Sequence, residues 1–337
     1  MTPAVALLIF VIATVALVVM FWPRSGIVAR LSRYRRLEER VLVEDTLKHL
    51  YNREYLGSRA TEESLAGFLE TSHGHAVRVL ARCEELGFLR FEGLDPVLTK
   101  EGRQYALRIL RSHRLLERYL ADRTGLDPSD WHTEADRLEH TLSQDEAEGL
   151  ASRLGHPVYD PHGDPIPTAA GEIPPMEGQP LASLEEGAIA RIVHVEDEPP
   201  ELFSEIIAAG LGPGMRLRLL DTSLNHVLFE AEGREHRLSP AVASRITVAP
   251  VAEAVQLPAD TLADLERGQS GRVLGISPVC QGPQRRRLLD LGVVPGTEIR
   301  AELVSAAGDP VAYLIRGALV ALRRDQARLV RIEREAA

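Results

Sequence analysis

The stretch "HTEADRLEH", residues 132–140, places His132, Asp136, Glu139 and His140 at i, i+4, i+7 and i+8. On a helix these positions lie along one face. Upstream, His113 and Glu117 repeat the i, i+4 spacing. Imidazole and carboxylate together suit borderline divalent ions such as Mn²⁺, Fe²⁺, Co²⁺ and Zn²⁺. The same residues also suit a solvated helix face with Arg137 pairing to the acids, so metal binding and surface decoration both stand on spacing alone. The two cysteines, Cys83 and Cys280, are far apart and outside any CxxC. A thiolate zinc site and a disulfide framework are therefore disfavoured, and a reducing compartment fits. The sequence contains no HExxH, no Gly-x-Ser-x-Gly and no phosphate-binding loop, so the chain reads as a non-enzyme.

The elements that must position these residues are legible around them. "RQYALRILRSHRLLERYLADRTG" is a long amphipathic pattern ended by Gly125. "DPSDWHTEADRLEHTLS" opens on Asp127 or Ser129 with Pro128 early, and "SQDEAEGLASRLG" opens on Ser143 with Glu146 three residues later, a capping-box pattern. Before them, "VLVEDTLKHLYNREY", "TEESLAGFLETS" and "HAVRVLARCEELGF" read as helices, and "FLRFEGLDPVLTKEGRQYA" as two short strands around a turn. That is the order of a winged helix-turn-helix, which other α+β units share; in a winged helix-turn-helix the second motif helix enters the DNA major groove. Its first turn would present Ser72, His73, His75 and Arg78, with Thr99, Lys100 and Arg103 near the wing.

The 337 residues suffice for two or three domains, and a net charge of −10 argues against a general nucleic-acid coat but not against a small DNA-binding module. At the start, Ala4–Trp22 carries no charge. A helix of that length roughly matches the ~30 Å hydrocarbon core. Arginines dominate the next segment (Arg24, Arg30, Arg33, Arg35, Arg36, Arg40). The positive-inside rule then predicts a single-pass anchor in the inner membrane with the bulk of the chain in the cytoplasm.

The C-terminal part repeats itself. "GAIARIVHV" aligns with "GQSGRVLGI", "IIAAGLGPGMRLRLL" with "LLDLGVVPGTEIRAE", and "LSPAVASRITV" with "LRRDQARLVRI". Two copies about 82 residues apart predict two small β-barrel domains. The Pro/Gly-dense stretch before them cannot hold a regular element.

Residues 41–167 resemble the diphtheria toxin repressor and manganese transport regulator family of metal-dependent bacterial repressors. The matching pieces are "EDTLKHLY", "LAGFLETSHGHAVRVLARCEELGFL", "LTKEGRQYA", "SHRLLERYL", "HTEADRLEH" and "DPHGDPIP", in family order. The repeated units resemble the small SH3-like domain of the ferrous-iron transport accessory protein, FeoA. The resemblance implies a homodimer that binds operator DNA when its metal sites fill. It assigns His113, Glu117 and His132 to one site, and Asp45, Asp136, Glu139 and His140 to another, which His113 joins in manganese-type relatives. Glu196 matches a carboxylate from the third domain, and Ser72, Gly74, His75 and Arg78 fall on positions that meet DNA. Asp136 stands where iron-type members carry Cys, and Asp45 where they carry Met. Both changes replace sulfur with oxygen and favour harder ions such as Mn²⁺. Lys48 replaces a second carboxylate ligand of manganese-type members, which argues against a binuclear manganese centre.

The resulting expectation is an α+β multidomain protein: a transmembrane anchor (1–23), a winged helix-turn-helix (24–102), a helical metal-binding and dimerisation domain (103–167), a linker (168–182), and two SH3-like barrels (183–250 and 260–334). Its expected function is Fe²⁺- or Mn²⁺-dependent repression of metal-uptake genes from the membrane. The alternative is a membrane-bound metal-sensing adaptor that contacts a ferrous-iron transporter through the FeoA-like domains.

Overall fold

The computed structural model describes residues 27–251 and 260–334, with side chains from residue 38 onward. These residues fall into two compact units that meet along the chain at Leu110 and Arg111.

The first unit begins with helix α1 (Ile27–Tyr55), followed by α2 (Glu62–Phe68) and α3 (His73–Glu85). A two-stranded antiparallel wing comes next, β1 (Leu89–Glu92) and β2 (Asp95–Leu98), with Leu89 opposite Leu98 and Glu92 opposite Asp95. Thr61 starts α2 because its hydroxyl accepts from Ser64 N–H while Ser64 reaches back to the Thr61 N–H. Leu47 and Leu50 of α1, Leu65 of α2 and Ala76, Leu80 and Cys83 of α3 are buried, as their helical spacing dictates. Helix α4 (Lys100–Arg123) starts in this unit and continues into the second. Gly102 is required in its first turn, where a Cβ would lie 1.8 Å from the Phe88 carbonyl oxygen.

In the second unit the remainder of α4 packs with α5 (Trp131–Glu139) and α6 (Gln144–Arg153). The core between them holds Leu115, Leu116, Leu120, Trp131, Ala135, Leu150 and Ile166. A 3-10 turn, Pro128–Asp130, precedes α5, and the Asp127 carboxylate caps it from Ser129 N–H. Ser143 and Glu146 form the expected capping box at the start of α6.

Two β-domains of matching topology follow. The first contains β3 (Gln179–Pro180), β4 (Ile189–Val195), α7 (Pro200–Ala208), β5 (Arg216–Thr222), β6 (Val227–Ala231), β7 (Arg234–Leu238), α8 (Pro240–Ala243) and β8 (Ile246–Pro250), in sheet order β3-β8-β4-β5-β6-β7. The second contains β9 (Asp260–Thr261), β10 (Ser270–Ile276), α9 (Gly282–Asp290), β11 (Glu298–Val304), β12 (Val311–Ile315), β13 (Ala318–Leu322), α10 (Arg324–Ala327) and β14 (Val330–Arg334), in the same order β9-β14-β10-β11-β12-β13. The sequence repeat is thus a structural repeat, strand for strand. Each domain has its own core, around Ile192, Leu217 and Phe229 in the first and Val273, Tyr313 and Ile332 in the second. The expected barrels are met only in part. Among the described residues each domain is a linear six-stranded antiparallel sheet, and its edge strands, β3 and β7 or β9 and β13, do not pair with each other.

The expected placement in the inner membrane is corrected. The segment that suggested it, Ala4–Trp22, lies outside the described residues. Among the described residues no helix is long and apolar enough to cross a membrane. The long N-terminal helix α1 is charged along its length, from Arg30 through Arg53, and a bilayer core does not accept charge at that density.

Candidate metal centre and nucleic-acid face

Helix α4 projects His113 and Glu117 inward one turn apart, and both are buried, 3% and 2% exposed. Helix α5 runs beside it and supplies His132, Asp136 and Glu139, with His140 as its C-terminal cap. The helical spacing read from the sequence therefore becomes a real cluster. His113 Nε2 is 3.0 Å from Glu117 Oε1. His113 Nδ1 is 2.6 Å from Glu139 Oε2 and 3.2 Å from Asp136 Oδ1. His132 Nδ1 is 3.2 Å from Glu117 Oε1, and its Nε2 is 3.4 Å from Asp136 Oδ2. His140 Nε2 is 3.7 Å from Glu139 Oε1. His113, His132 and Asp136 each offer a ligand atom within 4.8 Å of the others'. Two imidazoles and a carboxylate at that spacing fit a divalent transition ion. Both cysteines are buried elsewhere, Cys83 in α3 and Cys280 in the second β-domain.

Two further residues complete the cluster, and spacing arguments did not find them. Asp197 follows β4, and its Oδ2 is 3.0 Å from His132 Nδ1. His162 lies in the loop "DPHGDP" and is 3% exposed. Its Nδ1 is 3.9 Å from Glu117 Oε1 and 3.7 Å from Asp197 Oδ2. Glu117, His162 and Asp197 also bring ligand atoms within 4.8 Å of one another. Of the adjacent acids after β4, Asp197 is thus the one grouped with the histidines. Glu196 instead has His194 and Arg245 among its charged neighbours, and its backbone N–H donates to the Arg245 carbonyl.

The loop holding His162 is built around Asp160. Its Oδ1 accepts from the backbone N–H groups of His162, Gly163 and Asp164, each at 2.9 Å. Arg114 on α4 donates to the Pro165 carbonyl at 2.6 Å and to Asp164 Oδ1 at 3.2 Å. His194 on β4 approaches Asp164 Oδ2 at 3.4 Å. Gly163 has a φ of +98°, and a Cβ there would lie 2.0 Å from the Val193 carbonyl oxygen. Only glycine lets this loop lie flat on β4.

The electrostatics follow from crowding carboxylates and imidazoles together. Burial alone would raise the Glu117 carboxyl, but His113, His132 and His162 hold it well below the usual range. Burial opposes charge on His132, yet its contacts with Asp197 and Glu117 win and push it up to about 10. Burial, with Asp164 and Glu117 nearby, raises Asp160 far above an ordinary aspartate. Asp164 goes the other way, to about 2, because Arg114 and His194 outweigh its burial.

In the first unit, Asp45 lies on α1 and the DNA-contact candidates lie around the start of α3. Ser72 is the N-cap residue, Gly74 and Arg78 are exposed on the first turns, and the His75 ring is 2.9 Å from Thr71 Oγ1. The opposite face of α3 is buried through Ala76, Val79, Leu80 and Cys83. Thr99 has a structural task, since its hydroxyl donates to the Gly87 carbonyl and accepts from Gly102 N–H at the head of α4.

Comparison with known proteins agrees with this division. Residues 99–168 match the family model "Iron dependent repressor, metal binding and dimerisation domain", and residues 179–250 and 261–334 each match the FeoA domain. The iron-dependent repressor IdeR of Mycobacterium leprae is 30% identical over 208 residues, covering 58% of this chain and 90% of that protein. The diphtheria toxin repressor of Corynebacterium efficiens is 29% identical over 186 residues, covering 52% and 81%. Among solved structures, a manganese-dependent transcriptional repressor in complex with manganese aligns with a TM-score of 0.57 at 27% identity. It covers 62% of this chain and 100% of that one.

Proposed function

Because this chain belongs to the diphtheria toxin repressor and IdeR family, we propose that it is a homodimeric, Mn²⁺- or Fe²⁺-dependent repressor that binds operator DNA through α3. The observation that carries this reading is the packed cluster of His113, His132 and Asp136, with Glu117, Glu139 and His140 around it. The absence of sulfur from that donor set supports a hard or borderline ion. A bound cation would supply, beside Glu117, the positive charge that a proton on His132 otherwise brings. His113 and Glu117 hold the α4 side of the cluster, while His132, Asp136, Glu139 and His140 hold the α5 side. The family resemblance adds Asp45 to the ligands shared with Glu139 and His140, and that assignment rests on sequence.

Helix α4 supports a link from metal to DNA. It starts two residues after the wing and carries His113 and Glu117 on the same continuous helix. Metal binding then biases a two-state arrangement in which two recognition helices of a dimer match half-sites about one DNA turn, ~34 Å, apart. Ser72, Gly74, His75 and Arg78 are the contact residues in this reading, with Arg78 the principal cation. The adaptor alternative finds no support among the matched relatives, which are repressors.

The test is binding of the full chain to DNA from its own promoter region, with and without Mn²⁺ or Fe²⁺. Metal-dependent binding supports repression, and failure to bind under either ion rejects it.

A further inference from the structure

The two FeoA domains share one topology, so each strand has a counterpart, yet the outer faces of their sheets differ in chemistry. Across β5-β6-β7 of the first domain, one outward row is Asp221, Leu228 and Arg237, and the next is Arg218, Glu230 and Glu235. The matching rows across β11-β12-β13 are Leu303, Ala312 and Ala321, then Arg300, Leu314 and Leu319. Asp221, Arg237, Glu230 and Glu235 thus give way to leucine or alanine. Leu303 and Leu319 are 50% and 55% exposed. The first domain folds without this apolar surface, so folding does not explain it. A contiguous exposed apolar patch marks a contact site.

The patch reaches an open edge. Strand β13, "ALVAL", ends its sheet, and among the described residues no strand pairs with its outer side. Its counterpart β7, "REHRL", carries the charges that ordinarily protect an edge from pairing. Strand β13 carries none. Arg316 and Gly317 form the two-residue turn before it, both at positive φ, with Ile315 paired to Ala318. The antiparallel alternation then turns the N–H and C=O groups of Leu319 and Ala321 outward.

We propose that β13 pairs antiparallel with β13 of a second copy of this chain, about a two-fold axis at Val320. In that register Leu319 exchanges both backbone hydrogen bonds with the partner's Ala321, and each leucine faces an alanine, large against small. The strand suits a copy of itself because it is apolar in both directions and carries no charge to repel that copy. Its five residues fall far short of the ~20–30 a side in a standard interface. The contact therefore joins copies that are already held together, and it rests on the homodimer proposed above.

Val320→Cys in the full chain tests the register. A non-hydrogen-bonded antiparallel pair brings Cα atoms to about 4.5 Å, within the ~4.4–6.8 Å that a disulfide spans. Native Cys83 and Cys280 are buried, so an interchain disulfide under mild oxidation reports position 320. It should form in Val320→Cys and be lost when Leu319→Lys is added, since Leu319 is exposed and its replacement leaves the core intact. Hydrogen exchange of the wild-type chain gives a second reading. The Leu319 and Ala321 amides should be protected there, and the Ala321 amide exposed in Leu319→Lys. Sedimentation gives the native mass, and circular dichroism identifies which variants are folded. A dimer with no disulfide in folded Val320→Cys, or with one that survives Leu319→Lys, overturns self-pairing alone. So do fast-exchanging Leu319 and Ala321 amides in the wild-type dimer. Protected amides without the disulfide assign the edge to another segment of the same chain and likewise overturn it. A native mass of one chain overturns the homodimer and this contact together.

Discussion

Asp197 Oδ2 stands 3.0 Å from His132 Nδ1, joining the acidic loop after β4 to a helix more than sixty positions earlier in the chain. One carboxylate thereby links the first FeoA domain to the face of α5 that carries the proposed metal ligands. Replacing it with Asn leaves a neutral group of the same shape beside His132. Asp197→Asn should also lower the pKa of His132 in the metal-free chain, because a main group holding it up is gone. NMR titration of the imidazole checks this, and an unchanged His132 would show that the pair is not formed in solution.

The raised pKa of His132 has a signed consequence for stability. Its pKa moves from an ordinary 6.5 to about 10 in the folded, metal-free chain. The stabilisation is complete below the unfolded value and is lost as pH rises through the folded one. Metal-free protein should therefore lose stability between pH 6.5 and about 10. Chemical denaturation across that range measures it, and a flat profile would contradict the pairing.

The same proton must leave when metal enters, since a ligating imidazole nitrogen cannot keep it. Calorimetric Mn²⁺ titrations in buffers of different ionisation enthalpy should reveal net proton release near neutral pH. No buffer dependence would exclude His132 from the ligands.

Gly163→Ala should misplace the loop that carries His162. The substituted residue would have to hold a φ of +98° with its Cβ against the Val193 carbonyl. Strained backbone of this kind costs about 1–3 kcal/mol. Urea unfolding should show a loss of at least that size, together with weaker Mn²⁺ binding. Wild-type stability would mean that the loop does not lie on β4.

On the DNA side, Arg78→Ala should weaken operator binding by about 1–3 kcal/mol if the guanidinium reads a base. Mn²⁺ stoichiometry should not change, because Arg78 is on an exposed face of α3. Fluorescence anisotropy with a labelled operator, run beside the metal titration, separates the two effects.

Much of this arrangement was legible because helices convert spacing into geometry. His113 with Glu117, and His132 with Asp136 and Glu139, needed only the 3.6-residue period to share a face. The internal repeat likewise foretold two domains of one topology. His162 and Asp197 have no such period. They sit in loops, and tertiary packing alone brings them to Glu117. Proline and glycine density marks residues 156–180 as irregular without indicating where one of its side chains points. The adjacent pair Glu196 and Asp197 illustrates the same limit, since the end of a strand turns neighbouring side chains in different directions. Barrel closure also depends on pairing between strands at opposite edges of a sheet, which local pattern does not encode.

The most direct measurement is operator affinity as a function of Mn²⁺ for the full chain and for His140→Ala. His140 caps α5 beside Glu139, which contacts His113, and it is remote in sequence from every proposed DNA contact. Metal should raise the affinity of the wild-type chain by at least about tenfold, the low end of ordinary allosteric coupling being a few-fold, and should leave His140→Ala weak at the same Mn²⁺ concentration. Equal DNA binding by the two proteins, or wild-type binding that ignores metal, would contradict metal control through this cluster.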